Sequence, residues 1–422
     1  MKTISRRRRN FDPRGRILAA FALFGAGLAA TAAEPSKGPD AATGSPFRIT
    51  HTLLANLGGE HVANAVHRRT ARGLSIVAWG DRIVEWPLNG LRLREVVAPV
   101  EGQGYTNGGC ALDVTGDGID EIVVARGSGR WAHDPELCWF QENPAGQLTA
   151  HVIGPVGVGG STPHDIIPIS FSVPGGGKIR GVVVVIGRRQ VTWYQIPDDP
   201  AQPWTKHVIG QLPENNQSGL VIGDVAGHGR ADLVCGMYWV ECPADPRREK
   251  WKVRRFGHWA APTMNSMAKL QLGDMNGDGQ LEIVASQAEI PDSKLGIFSR
   301  DPKQPDGPWT FREIDAGLYC PHSLTLTDLD GDGRTDIIVG EMTAGGWRFP
   351  LNPNPRIMAY LNRGSAPYER RLLAQGSGVH EMGMLPRERG GPVVLYAADE
   401  TQTHKFPDMK THVNLWTIWW KP

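Results

Sequence analysis

His61, His164, His322 and His380 each stand just ahead of an apolar run that reads as a β-strand, at matching places in a repeating pattern. The chain has 13 histidines, and random scatter would not set four of them in register. Neutral imidazoles hold transition metals, and imidazole exchanges protons near neutral pH. Glu381 directly follows His380, and Glu341 closes the strand after the acidic turn of the His322 repeat. His164, His322 and His380 are thus candidates for general base or metal ligand, with Glu341 and Glu381 completing the shell of a second divalent metal. A lone histidine at a strand start often only satisfies the backbone of a turn; the recurrence is what argues for chemistry.

A second set of residues points to a harder cation. Asp328, Asp330, Asp332 and Asp336 interleave with Gly331 and Gly333 in DLDGDGRTDIIVGE. Oxygen donors at alternate positions, with glycines permitting the sharp turn, suit structural Ca2+. Asp274, Asn276, Asp278 and Glu282 repeat the pattern, and Asp113, Asp117 and Glu121 keep it with Thr115 at the third position. The copy at 224–232 (DVAGHGRAD) carries Ala226 and His228 at donor positions and is expected to bind no calcium. None is an EF-hand, because Val339 stands where the bidentate glutamate belongs. The expected role of these turns is to staple structure.

Both sets need a scaffold that carries repeats around one axis. Each acidic turn leads into an apolar strand, at 122–125, 233–235, 283–285 and 337–339. The step from Asp113 to Asp224 is 111 residues, about twice the others, so a degenerate copy belongs there and 181–187 (GVVVVIG) supplies its strand. Residues 75–79 and 393–397 fit the same frame. Seven repeats near 50 residues, each with four strand-like runs, predict an all-β, seven-bladed propeller of four-stranded blades. In the second repeat the strands fall at 109–114, 122–125, 137–141 and 148–153. Residues 47–54 read as an outer strand lacking the three before it, and 414–420 as a third strand lacking the one after it. Together they would close the ring, the first strand completing the last blade and leaving no open edge there.

In this frame the acidic turns lie on one face. The loops that approach each inner strand, and those joining second to third strands, lie on the other, around the mouth of the channel. The approach loops carry Glu60-His61, Tyr105 and Asn107, His164-Asp165, Asn215-Asn216-Gln217, Asn265 and Met267, His322, and His380-Glu381. The loops after second strands carry Arg126, Arg188-Arg189, Tyr238, Gln287 and Glu289, Glu341, and Glu400 and His404. His151, His207 and His412 fall on strands and read as structural; Trp239 reads as core.

The D-x-[DN]-G-D-G-x-x-[DE] copies resemble the FG-GAP/VCBS repeats of calcium-binding propellers, over nearly all of 47–422. The order of tryptophan-bearing third strands and of histidines before inner strands is most similar to the propeller of the aldos-2-ulose dehydratases, and more loosely to propeller-type polysaccharide lyases such as ulvan lyases. The cupin domains that follow the dehydratase propeller have no counterpart here. The resemblance implies a carbohydrate substrate and a carbon–oxygen lyase or dehydratase. A base would take a proton α to a carbonyl or carboxylate, and a cation would stabilise the enolate. On that reading Tyr238 protonates the leaving oxygen, Arg126 or Arg188 neutralises a uronate, and Asn216 and Asn265 contact substrate. The alternative is a non-catalytic propeller that binds glycan or protein.

The remaining sequence bounds the setting. Arg6–Arg9, an apolar run at 17–30 and the A-x-A site Ala30-Thr31-Ala32 predict an export signal over 1–33, by the twin-arginine or the general secretory route, followed by a linker over 34–46. The destination is periplasmic or extracellular, with no stable membrane span once the signal is removed. Net charge is +1 overall; Lys2, Arg6–Arg9, Arg14 and Arg16 against Asp12 leave the remainder at about −5, which argues against nucleic-acid binding. The expected state is a monomer. Five cysteines show no zinc or disulfide spacing. No P-loop, dinucleotide fingerprint, nucleophile elbow or H-E-x-x-H is present.

Overall fold

The computed structural model describes residues 46–128, 134–156, 163–173, 177–187, 189–213, 218–258, 268–301, 303–304, 306–343, 349–365, 367–399 and 409–421. The expected signal peptide and nearly all of the linker lie outside the described residues, as do Arg188, Asn216 and Asn265.

The strands form seven separate antiparallel sheets of four, each a blade. Blade two, for example, runs Gly104–Leu112, Glu121–Gly127, Glu136–Glu142 and Leu148–Pro155, around the four runs expected from its sequence. Blade three, the degenerate copy, is built on Ile166–Val173, Gly177–Ile186, Gln190–Gln195 and Thr205–Gln211. The last blade takes Glu381–Met384, Val393–Ala398 and His412–Trp420 from the C-terminal end, and Phe47–Asn56 as its fourth strand. That strand pairs antiparallel with His412–Trp420 from Phe47↔Trp420 to Asn56↔His412. No α-helix occurs among the described residues.

The burial pattern explains why the second strands read as unbroken apolar runs. In blade three every residue of Val182–Ile186 is buried, because neighbouring blades cover both faces of the strand. Outer strands such as Thr205–Gln211 are mostly exposed or half-buried and carry polar side chains. Hydrophobic clusters lie between adjacent blades. Val123, Leu137 and Trp139 of blade two pack with Val182, Val184 and Tyr194 of blade three. Ile76, Ala78 and Trp86 of blade one pack with Tyr396 and Leu415 of blade seven. Burying each large side chain contributes roughly 1.5–3 kcal/mol, so every blade is held chiefly by its two neighbours.

A cross-strand pair recurs between third and outer strands. His151 stacks on Trp139 with ring centroids 4.1 Å apart, and His207 on Trp193 at 4.1 Å. His51 stacks on Trp416 at 5.4 Å, and Arg254 takes the same place over Trp239 at 5.2 Å. A flat or cationic group thus lids the tryptophan face on the blade rim.

Candidate functional site at the channel mouth

The seven inner strands surround a cavity of about 180 Å3, and each blade contributes to its wall: Asn64, Gly109, Asp165, Gly219, Lys269, Ser323 and Glu381. His164, His322 and His380 precede the inner strands of blades three, six and seven, so strand geometry alone delivers all three to one end of the channel. His164 and His322 have ring centroids 6.1 Å apart; His322 and His380 are stacked at 4.3 Å with 21° between planes. Their exposures are 7%, 1% and 2%; His164 and His322 line the cavity, while His380, stacked on His322, is not among its lining residues.

The ring tautomers are set by their neighbours. His322 Nδ1 lies 2.8 Å from the His380 carbonyl, and His380 Nδ1 3.2 Å from the Ala63 carbonyl. His164 Nδ1 lies 3.3 Å from Asp165 Oδ2. None of these acceptors can donate, so each Nδ1 carries a proton. A backbone carbonyl or carboxylate behind the second nitrogen is the arrangement that orients metal-ligating histidines.

Carboxylates converge on the same place. Glu289, from the loop after the second strand of blade five, has Oε1 3.5 Å from His322 Nε2. Glu381 Oε1 is 3.6 Å from His322 Nδ1 and pairs with Lys269. Donor atoms of His164, Glu289 and His322 lie within 4.8 Å of one another, and so do those of His322, His380 and Glu381. Asp165 is braced from behind. Gly219 has φ +82°, where a Cβ would sit 2.2 Å from the Ala268 carbonyl, and this turn sends its N–H to Asp165 Oδ2 at 3.2 Å. Burial would raise the Asp165 carboxyl, but the His164 ring, the Lys269 ammonium and the Gly219 amide outweigh it and hold it at about 2.

Other residues singled out in the sequence are placed elsewhere. Glu341 is buried beneath the loop leading to His322 and accepts from Arg356 Nε at 2.9 Å and Tyr319 N at 2.9 Å; it braces that loop and does not join the donor groups. Tyr238 is in the apolar core shared by blades three and four, with Val183, Trp193 and Val240, because its strand turns it toward the neighbouring blade. Arg126 is held by Glu136 at 2.9 Å. His61 is not among the residues around the cavity. Lys269 was missed by sequence reasoning; the signal was a single charge inside an otherwise uncharged inner strand, AKLQLG.

On the opposite face three of the four acidic turns share one frame. Asp113 accepts the amides of Gly116 and Gly118 at 2.6 and 3.0 Å, Asp274 those of Gly277 and Gly279 at 2.7 and 2.9 Å, and Asp328 those of Gly331 and Gly333 at 2.7 and 3.0 Å. The ninth-position acids turn back to amides: Glu121 to Val114 at 2.8 Å, Glu282 to Met275 at 2.7 Å, Asp336 to Leu329 at 2.8 Å. Asp328, Asp330 and Asp332 gather oxygens within 4.8 Å, although Arg363 pairs with Asp330 and Arg334 with Asp332. Burial, then crowding by Asp330 and Asp332, pushes the Asp336 carboxyl up to about 7. A carboxylate so placed fits a hard divalent cation as its partner.

Residues 321–350, the inner strand and acidic turn of blade six, match the FG-GAP repeat family. No curated protein matches the chain. Among solved structures, the AfRom2 CNH domain is similar at 12% identity and TM-score 0.44, covering 86% of this chain and 98% of that one. BBS1N, from its complex with ARL6DN soaked with lead, is similar at 9% identity and TM-score 0.47, covering 88% and 97%. Neither likeness carries function. No helix among the described residues is long and apolar enough to cross a membrane.

Proposed function

We propose that this chain is an exported, calcium-stapled propeller that breaks a carbon–oxygen bond of a carbohydrate by elimination at its channel mouth. The observation that carries the reading is the convergence of three imidazoles, each with Nδ1 committed to an acceptor, beside Glu289. The basic and apolar leader, the A-x-A site and the FG-GAP repeat support export to the periplasm or the extracellular space.

His164, Glu289 and His322 would hold a divalent transition cation; bound there, it would supply a Lewis acid for the carbonyl oxygen next to the acidic carbon. The base proposed for the α proton is His380, whose ring stacks on the cavity-lining His322. The C–H electron pair becomes the new C=C bond and expels the β-oxygen. That oxygen accepts a proton from Lys269 and leaves as water or as the hydroxyl of a departing sugar. Glu381 holds the Lys269 ammonium in place. Asp165, anchored by Gly219, fixes the His164 ring. Lys269 replaces the role expected of Tyr238, whose ring is packed in the core.

The test is elemental analysis of the purified chain after mild chelation, followed by a screen of keto-sugars and uronate polymers for the ultraviolet absorbance of an enone or unsaturated uronate. A retained transition metal, lost together with turnover in His322→Ala, is the expected result. Glycan binding with no metal and no new chromophore would make the chain a binding propeller instead.

A further inference from the structure

The fourth acidic turn departs from the other three in a way that changes which cation it suits. It keeps the outline of the frame with two of the contacts shifted by one residue: Asp224 accepts the amides of His228 and Gly229 at 2.9 and 2.7 Å, and Asp232 accepts that of Ala226 at 2.8 Å. Gly227 and Gly229 hold φ of +71° and +80°, as their counterparts do in the calcium-type turns. The donors differ. Ala226 offers nothing at the third position, and His228 offers an imidazole at the fifth. Calcium needs six to eight oxygen donors, and this turn has lost two of the side chains that supply them.

What remains is a nitrogen between two carboxylates. His228 Nδ1 lies 3.2 Å from Asp224 Oδ1, and Nε2 lies 3.4 Å from Asp232 Oδ1. Two ligands about 2.0–2.1 Å from one ion in a tetrahedral shell stand roughly 3.3 Å apart. One donor atom from each of the three side chains falls within 4.8 Å of the others. Nε2 is buried and makes no hydrogen bond, while Nδ1 accepts the Arg230 amide at 3.2 Å. Asp232 has no exposed side-chain surface and is fixed by the amides of Ala226 and Cys242, the latter at 2.7 Å. A buried carboxylate oriented by backbone amides is a well-supported ligand.

We propose that Asp224, His228 and Asp232 form a site for a borderline divalent cation of the zinc type, selected against calcium by the imidazole. With Nε2 on the cation, the ring proton moves to Nδ1, which gives up the Arg230 amide and donates to Asp224 Oδ1, leaving the other Asp224 oxygen as that residue's ligand atom. Water fills the remaining coordination position. The site staples the first and second strands of blade four as calcium does in its neighbours. It lies on the turn face, away from the channel mouth, and does not depend on the chemistry assigned there.

The experiment separates the two places. The full chain carrying His164→Ala and His322→Ala is dialysed against Co2+ in excess calcium, and bound cobalt is read by elemental analysis and by its visible absorption. One equivalent of cobalt should remain, with the intensity of a low-coordinate nitrogen–oxygen site. Adding His228→Asp, which restores an oxygen donor, should weaken cobalt binding at least tenfold. If that variant fails to fold, His228→Gln gives the same readout with a neutral side chain. No bound cobalt, cobalt displaced by an equal concentration of calcium, or cobalt retained unchanged in both His228 variants would each overturn the proposal.

Discussion

The two faces of the propeller use the same repeat in opposite ways. On the turn face, blades two, five and six copy one hydrogen-bonded frame almost atom for atom, and each copy works on its own blade. At the channel mouth no blade is complete. His164 comes from blade three, Glu289 from five, His322 from six and His380 from seven, and only their meeting makes a site. On the proposed reading, repetition serves stability and divergence among the copies serves chemistry. A substitution on the turn face should therefore cost stability without altering function, and one at the mouth the reverse.

The largest expected effect is at the mouth. His322→Ala removes the ring shared by both donor groups and should lower turnover and transition-metal retention by at least 100-fold, in the range of a lost general base or ligand. The thermal midpoint should move by no more than a few degrees. A variant that keeps metal and activity, or one that unfolds, would remove the division between the faces. Next in size is calcium. Chelation, or Asp328→Ala, should lower the melting temperature by several degrees through loss of a ligand bound only by the folded chain. Turnover measured well below the new midpoint should be unchanged. If it falls in proportion, the turns and the mouth are coupled.

The turn face was legible because its signal is local. Four donors and two glycines within nine residues declare the turn, the apolar run behind it declares a buried strand, and the recurrence declares a ring. Even the closure was readable, because 47–54 and 414–420 each lacked what the other supplied. The mouth was legible only in part. His164, His322 and His380 could be found by register. Tyr238 and Arg126 could not be excluded without knowing which way a side chain points: Tyr238 faces a neighbouring blade, and Arg126 already has Glu136. Glu341 looked like a ligand because it ends the right strand, yet Arg356 stands beside it from the next one. Lys269 and Glu289 gain meaning only across blades, from partners 112 and 33 residues away. Long-range pairing of single side chains leaves no periodic trace.

Asp399 offers a sharper test, because it sits on the mouth face yet behaves as structure. It directly follows the second strand of blade seven, buried, with the Thr343 amide 3.5 Å away. Burial pushes its carboxyl up to about 6. The folded state therefore prefers the protonated form. Its contribution is fully present below about pH 4, and is lost as the pH rises to about 6. A gap of about two pH units corresponds to about 3 kcal/mol at neutral pH. Asp399→Asn should be near neutral at pH 4 and stabilising by up to about 3 kcal/mol at pH 7.5, in urea unfolding at the two values. An equal difference at both would show that the carboxyl does not titrate in this range.

The smallest effect compares histidine with histidine. His151 lies flat on Trp139 at the rim of blade two, 4.1 Å between centroids and 15° between planes, and half-buried. An aromatic stack of this kind contributes about 0.5–1.5 kcal/mol. His151→Ala should cost about 1 kcal/mol in urea unfolding and leave metal content and turnover as they were. His151→Phe, which keeps a flat ring, should recover most of the loss. Beside His322→Ala the pair isolates position from residue type. Both are histidines of the repeat, but one lies on an outer strand and covers a tryptophan, and the other precedes an inner strand and meets its partners at the channel. If His151→Ala also lowered turnover, catalysis would draw on the blade rim as well as the channel, and the separation of the two roles by radius as well as by face would fail.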